Sequence, residues 1–469
     1  MAIYWRSSNR MPSGAEIAVN LLVLPVAFLL LILLGRTVRA RLIAGATVAA
    51  TANEGTNAAP PAANAASDER EQSWTLHILG TALRSSLGDS TDAVVEQLRA
   101  KAVPPLDPVL TDSGGFPIRS GRIESLSETN VDETALALNE WLATRNTIGL
   151  VWSPAQLRAL TLAAEVTKEL SNQLRGHALL GPYLNAAPSQ HGAIALAPVQ
   201  FSALAPAYWS SKHRTAAQRW LADLVVNSGW PSEKLVLSPL TANHQGDVLG
   251  LIDRLCLQAY RQSLPCLALV VGFDSAIDDE SVSAWQASGR LLHAESPNGL
   301  IPAEGASGVL LADTAQTAHL DRDQASTLHR VALARREKSA DASGRIAGDT
   351  LQLVSQAALR NAGLRNDQIA VVCADADQRA SRTAELLQAV YGDFPELDAE
   401  TDCLRTASGC GAAGAATSLS TLALAHYVTV TDTVSTLCLL NQDAFERVGV
   451  VVRPYDSIAS APIAPAQPT

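Results

Sequence analysis

Hydrophobic and polar positions divide the chain sharply. Ile17 to Gly35 reads IAVNLLVLPVAFLLLILLG, 19 residues without a formal charge, about the length that crosses a hydrocarbon core of roughly 30 Å. Asn20 and Pro25 are tolerable in such a helix. Arg36, Arg39 and Arg41 follow directly, where a cleaved signal peptide would place small residues after a shorter apolar core. The pattern predicts an uncleaved transmembrane anchor within residues 1–43. Arginines flank the span on both sides, with three after it against Arg6 and Arg10 before it. The positive-inside rule therefore leans towards a single-pass protein with a cytoplasmic C-terminal body. Residues 44–72 are rich in Ala, Asn and Pro, without apolar period or aromatic residue, and read as a flexible linker. Residues 457–469 read as a disordered tail.

The body alternates strand-like and helix-like patterns. WTLHILGTAL opens it as a strand, with a turn at Leu87–Asp89 and a helix over Ser90–Ala102 capped by Ser90 or Asp92. Helices follow at Asp132–Thr144 and Ser153–Leu174, the second with Ser153 as cap and Pro154 at its first position. A strand is predicted at Gly192–Ala197 and a helix at Thr215–Ser228. Lys234–Ser238 is a short strand. Gly246–Arg261 carries Val248, Leu251, Ile252, Leu255 and Ala259 at helical spacing. Cys266–Val271 is a continuous apolar run, as in strands covered on both faces, and Ala306–Asp313 is another strand. The plan then repeats, with helices at Asp349–Gly363 and Arg382–Tyr391, a strand at Gln368–Cys373, a glycine-rich turn running into a helix over Ala407–His426, and strands at Thr436–Leu440 and Arg447–Arg453. Strand–turn–helix–strand order implies right-handed crossovers, a largely parallel sheet and an internal duplication.

Composition narrows the class. The 469 residues carry a net charge of −11 with a pI near 5.3, which gives a nucleic-acid partner no electrostatic basis. The six cysteines form no C-x-x-C pair and several sit inside apolar runs. They read as buried free thiols in a reducing compartment, without a zinc site or disulfide framework.

Four segments carry a resemblance. SLPCLALVVGFDSAI (Ser263–Ile277), GLIPAEGASGVLLAD (Gly299–Asp313), the helix–strand unit from Leu351 to Val390 and RTASGCGAAGAATSL (Arg405–Leu419) stand in the order of the motifs of β-ketoacyl synthases. The chain resembles that branch of the thiolase-like superfamily over roughly Trp74–Pro454. The match is poor before residue 230, and FERVGVV replaces the family's closing Gly-Phe-Gly-Gly run. The resemblance implies a duplicated αβαβα layered fold with mixed, largely parallel sheets. Its halves would span residues 73–313 and 314–456, and the cell would be bacterial, with the anchor in the inner membrane.

Synthase chemistry needs a cysteine thiolate at a helix N-terminus, where the macrodipole and free N–H groups lower its pKa. It also needs two histidines that act on the thioester and backbone amides that hold an oxyanion. The family's T-A-C-x-S-G falls on Thr241-Ala242-Asn243-His244-Gln245-Gly246, so Asn243 stands at the nucleophile position. A-H-G-T falls on Ala374-Asp375-Ala376-Asp377, and G-H-x-x-G-A-A-G on Ala407–Gly414, so Asp375 and Ser408 replace the histidines. The resemblance thus implies a pseudoenzyme without cofactor or metal. Asn243 suits a helix cap. A Ser408–His244–Asp375 triad would need His244 to face the pocket beside its neighbour Asn243, and no G-x-S-x-G elbow is present. Cys410 is placed at a helix start, where a lowered pKa is conceivable, but core packing accounts for it and for Cys256. Asp274 and Glu304 read as groups that satisfy buried backbone. His329–Arg345 reads as a solvated helix end and loop.

These readings point to a membrane-anchored, non-catalytic protein that acts by binding. It would be a homodimer or one subunit of a hetero-complex, with an accessory role in a bacterial secretion system (type VI) as the specific expectation. The alternative is a chain-length-factor-like partner of a fatty-acid or polyketide synthase, or a binder of acyl chains.

Overall fold

The computed structural model describes residues 71–146, 149–238, 246–342, 344 and 348–456. The expected anchor, most of the linker, the tail and the turn bearing Asn243 and His244 lie outside the described residues. Among the described residues no helix is long and apolar enough to cross a membrane.

The first half runs β1 (Leu76–Arg84), α1 (Thr91–Arg99), a hairpin of β2 (Leu106–Thr111) and β3 (Pro117–Arg119), then α2 (Glu128–Thr144) and α3 (Pro154–Leu174). A short α4 (Leu180–Asn185) leads to β4 (Val199–Leu204), α5 (Ser211–Asn227), β5 (Leu235–Leu237), α6 (Gly246–Gln262), β6 (Leu267–Ser275), α7 (Asp279–Ala287) and β7 (Glu304–Ala312). A single turn, α8 (Thr314–Thr317), leads to β8 (Ser326–Leu328) and β9 (Ala332–Arg335). The second half continues with α9 (Asp349–Ala362), β10 (Ile369–Ala374), α10 (Ala380–Asp393), β11 (Cys403–Arg405), α11 (Thr406–Cys410), α12 (Gly414–Asp432), β12 (Ser435–Leu440) and β13 (Glu446–Pro454).

Strand order shows the repetition directly. β5, β4 and β6 run parallel side by side, β7 lies antiparallel to β6, and β1 antiparallel to β7. In the same way β11, β10 and β12 are parallel neighbours, β13 is antiparallel to β12, and β8 and β9 are antiparallel to β13. The crossover strands of each half are thus parallel, and antiparallel strands close it. β1 pairs with β8 over three residue pairs, from Leu76 with Leu328 to Ile78 with Ser326, so hydrogen bonding passes from one half-sheet to the other.

Side-chain alternation sets the layers. Leu267, Leu269, Val271 and Phe273 of β6 join an outer core with α3 and α5, while Ala268 and Val270 join a central core with α6 and α12. Leu437 and Leu439 of β12 join a second outer core with α9 and α10, while Cys438 and Leu440 join the same central core. The order is therefore helix, half-sheet, central helices, half-sheet, helix. α12 packs on β6 and β7 of one half and on β10 and β12 of the other. A helix enclosed on all sides needs an apolar or small side chain at nearly every position, and Ala416 to His426 are buried without a break.

Helix α3 begins with a capping box. Ser153 Oγ accepts the Gln156 N–H at 3.2 Å, and Gln156 Oε1 accepts the Ser153 N–H at 3.0 Å. Ser153→Ala is expected to cost about 1 kcal/mol in urea unfolding. No change would show that Pro154 alone holds the helix start.

Two expectations need correcting. Residues 192–197 do not form a strand. A 3-10 turn covers Pro188–Ala193, and the strand is β4, starting at Val199. His191 Nε2 bonds the Ala186 carbonyl and ties this turn to itself. The described residues of His329–Arg345 form no helix end, although Glu337, Lys338, Asp341 and Ala342 are exposed loop residues as expected. The stretch contains β9, paired with β13. Arg330 is paired with Asp253 at 2.6 Å and Arg336 with Glu385 at 2.5 Å.

Candidate functional site

The C-terminal ends of β10 and β11 bring two of the expected positions side by side. Ala374 lies opposite Arg405 in the parallel ladder. Asp375 follows β10, Ser408 sits in α11, and the Ser408 N–H donates to the Ala376 carbonyl at 3.1 Å. The Asp375 side chain, however, serves the strand on its other flank. Its Oδ1 accepts the backbone N–H groups of Asn441 at 2.6 Å and Gln442 at 3.0 Å, both on the turn between β12 and β13. Its Oδ2 is buried without a hydrogen-bond partner. Burial raises this carboxyl to about 7, with Asp377 adding to the rise and the two amides and Arg447 opposing it. No hydrogen bond joins Asp375 to Ser408.

The start of β13 lies beside the start of α6. A Cβ at Gly246 would lie 2.5 Å from Glu446 Oε2, so only glycine lets this carboxylate approach the helix N-terminus, where the dipole favours it. Asp443 Oδ1 accepts the N–H groups of Phe445 and Glu446 at 2.7 and 2.9 Å.

Behind the turn between β12 and β13 lies a buried ion network that the sequence reading missed. Arg447 donates to both oxygens of Glu385, at 2.9 and 2.7 Å, and both side chains are fully buried. Arg379 grips Asp377 through Nε and Nη2, and its Nη2 also reaches the Gln442 carbonyl at 2.8 Å. Arg382 Nε donates to that carbonyl at 3.0 Å, and its Nη2 lies 2.8 Å from Asp341 Oδ1 as an ion contact, not an aligned hydrogen bond. Burial, followed by Arg379, holds the Arg382 guanidinium below its usual range. The available signal was Arg379 and Arg382 at helical spacing beside Glu385, a charge cluster that reads as solvated until the turn from β12 covers it.

In the first half, Glu304 accepts Arg158 Nε and Nη2 at 2.7 and 2.6 Å and the Ile123 N–H at 2.9 Å. The Ile123 N–H is a buried backbone group, as expected, while the Arg158 guanidinium is the larger partner. Asp274 accepts the Tyr208 hydroxyl at 2.5 Å, and its Oδ2 faces Gly414 at the start of α12. Burial raises Asp274 to about 6, and the Tyr208 hydrogen bond opposes the rise. Among the described residues no group of three or more His, Cys, Asp or Glu side chains is placed to hold a metal ion.

No protein-family model matches the chain, and no curated protein matches it. Solved structures do. A type II polyketide synthase acyl-carrier protein in complex with its ketosynthase bound to the hexaketide superposes with a TM-score of 0.55 at 12% identity, covering 81% of this chain and 100% of that one. The fold is the ketosynthase fold. A β-ketoacyl synthase from Burkholderia phymatum STM815 has a TM-score of 0.53 at 11% identity, over 82% of this chain and 100% of that one. A ketosynthase in complex with its chain length factor from Xenorhabdus doucetiae has a TM-score of 0.53 at 10% identity, over 81% and 98%. At such identities the likeness carries the fold alone.

Within this ketosynthase-like fold all six cysteines are buried and free. Burial pushes Cys256, Cys403 and Cys410 up to about 12 and raises Cys266, Cys373 and Cys438 as well. Cys410 ends the five-residue α11 inside the central core, so burial outweighs any effect of the helix start. Cys256 faces the same core from the middle of α6.

Proposed function

We propose that this chain is a non-catalytic ketosynthase-like protein that acts by binding another protein. One observation carries the reading: every cysteine is buried with its thiol raised above the ordinary range, so none is available as the thiolate that acyl transfer requires. Residue identity adds to it, since Asn243, Asp375 and Ser408 stand where the resemblance places cysteine and the two histidines.

The partner class is a ketosynthase-type subunit or a carrier protein. Similar solved structures include a ketosynthase held with a chain length factor and one held with an acyl-carrier protein. β5 is the end strand of the large sheet and leaves Val236 and Leu237 exposed, an edge suited to covering by a second chain. A membrane anchor in residues 1–43, with a linker over 44–72, would hold this body at the inner face of the membrane. Nothing in these comparisons supports a secretion-accessory role.

Incubation of the full chain with acyl thioesters tests the reading. The expected result is no covalent adduct by intact mass and no release of free thiol, for wild type and for Asn243→Cys alike, because the histidines are also replaced. Turnover that disappears in Ser408→Ala or Cys410→Ala would overturn it.

A further inference from the structure

Two backbone amides converge on one buried oxygen where β12 turns into β13. Paired amides aimed at a single point form a cradle for a carboxylate or carbonyl oxygen. In this protein the oxygen is Asp375 Oδ1, supplied by the residue after β10, 66 positions before Asn441. This is therefore a tertiary contact, distinct from the local capping that turns arrange for themselves.

The choice of a carboxylate is costly. An asparagine at 375 would offer its carbonyl oxygen to the same two amides without burying an ionisable group. As it is, Oδ2 is enclosed without a donor, and so is Asn441 Oδ1 on the same turn. Turn geometry accounts for one oxygen of Asp375 and leaves the other unexplained.

We infer that the Asn441 and Gln442 amides are an oxygen-binding cradle for small carboxylates or carbonyl groups, and that Asp375 is its built-in occupant, closing it to any external ligand. The inference goes beyond the non-catalytic reading and stands or falls separately, since it concerns binding and would survive a demonstration of turnover elsewhere in the chain.

Formate is the probe, because it presents a carboxylate with no further bulk. In the full chain, Asp375→Ala should empty the cradle. Formate at about ten times its Kd should then raise the melting temperature by about 2 °C over chloride at equal ionic strength. Wild type and Asp375→Asn, whose cradles remain filled, should show no formate effect beyond that of chloride. If Asp375→Ala does not accumulate in folded form, Asp375→Ser is read in the same way, its short side chain leaving room for the probe. A folded Ala or Ser variant indifferent to formate would overturn the inference. So would a wild type that responds to formate as strongly as the variant.

Discussion

Asp375→Asn is expected to stabilise the protein by about 2–4 kcal/mol at pH 8 and to leave its stability nearly unchanged at pH 4. The carboxyl rises from an ordinary 3.8 to about 7 on folding. Between those values the folded protein binds a proton that the unfolded chain has released. Its contribution to stability is therefore full below pH 3.8 and is lost as pH rises through 7. At 1.36 kcal/mol per pH unit the loss approaches about 4 kcal/mol, and relaxation around a buried charge lowers it. Asparagine removes this slope while keeping an acceptor for the Asn441 and Gln442 amides. The neighbouring charges, Asp377 and Arg447, are unchanged by the substitution, and each already has its own partner in Arg379 and Glu385. Unfolding free energies from denaturant titrations at pH 4, 6 and 8 would measure the difference. A variant weaker than wild type at every pH would show that the carboxylate is compensated in the folded state.

Acid is expected to act in the opposite direction on the junction of the two halves. Three imidazoles surround the three-residue strand β8. His426 and Ser326 Oγ share a hydrogen bond of 2.7 Å, His77 meets Thr327 Oγ1 at 3.3 Å, and His329 follows β8 with both ring nitrogens buried. Burial lowers all three to about 4, with Arg453 adding to the effect at His329. Each ring is neutral in the folded protein, and the unfolded chain takes up its proton near 6.5. Stability is therefore full above pH 6.5 and falls as pH drops towards 4, by up to about 3 kcal/mol per ring. Three rings together rival the 5–15 kcal/mol that holds a typical domain folded. Asp375 and Asp274 oppose this partly, because both bind protons in the folded state as pH falls below about 7 and about 6. The net expectation is a loss of stability between pH 6 and 4. His329→Leu should recover about 2 kcal/mol of it at pH 4.5 and change little at pH 8. An identical pH slope for wild type and variant would remove His329 from the account.

Local pattern alone settled much of this protein. Leu267 to Val271 can only be a strand covered on both faces, and Gly246 to Gln262 presents its apolar stripe at helical spacing whatever it packs against. Asp375 and Ser408 differ from the motifs the chain resembles, and that was visible in residue identity, while burial of the cysteines followed from their apolar neighbours. What the sequence left open were destinations. Whether Arg382 and Arg447 face water or the interior depends on which turn covers α10, and that turn arrives from β12, about 60 residues further on. β8 and β9 are too short to show a period, and they exist as strands because β1 and β13 offer them open edges. Asp375 could be placed at a strand end from sequence, but its partner could not, because a carboxylate bonds the nearest available donors and only the folded chain decides which amides those are. Periodicity is written within a dozen residues. Pairing, burial of charge and the occupant of a cradle are set by contacts across the whole chain.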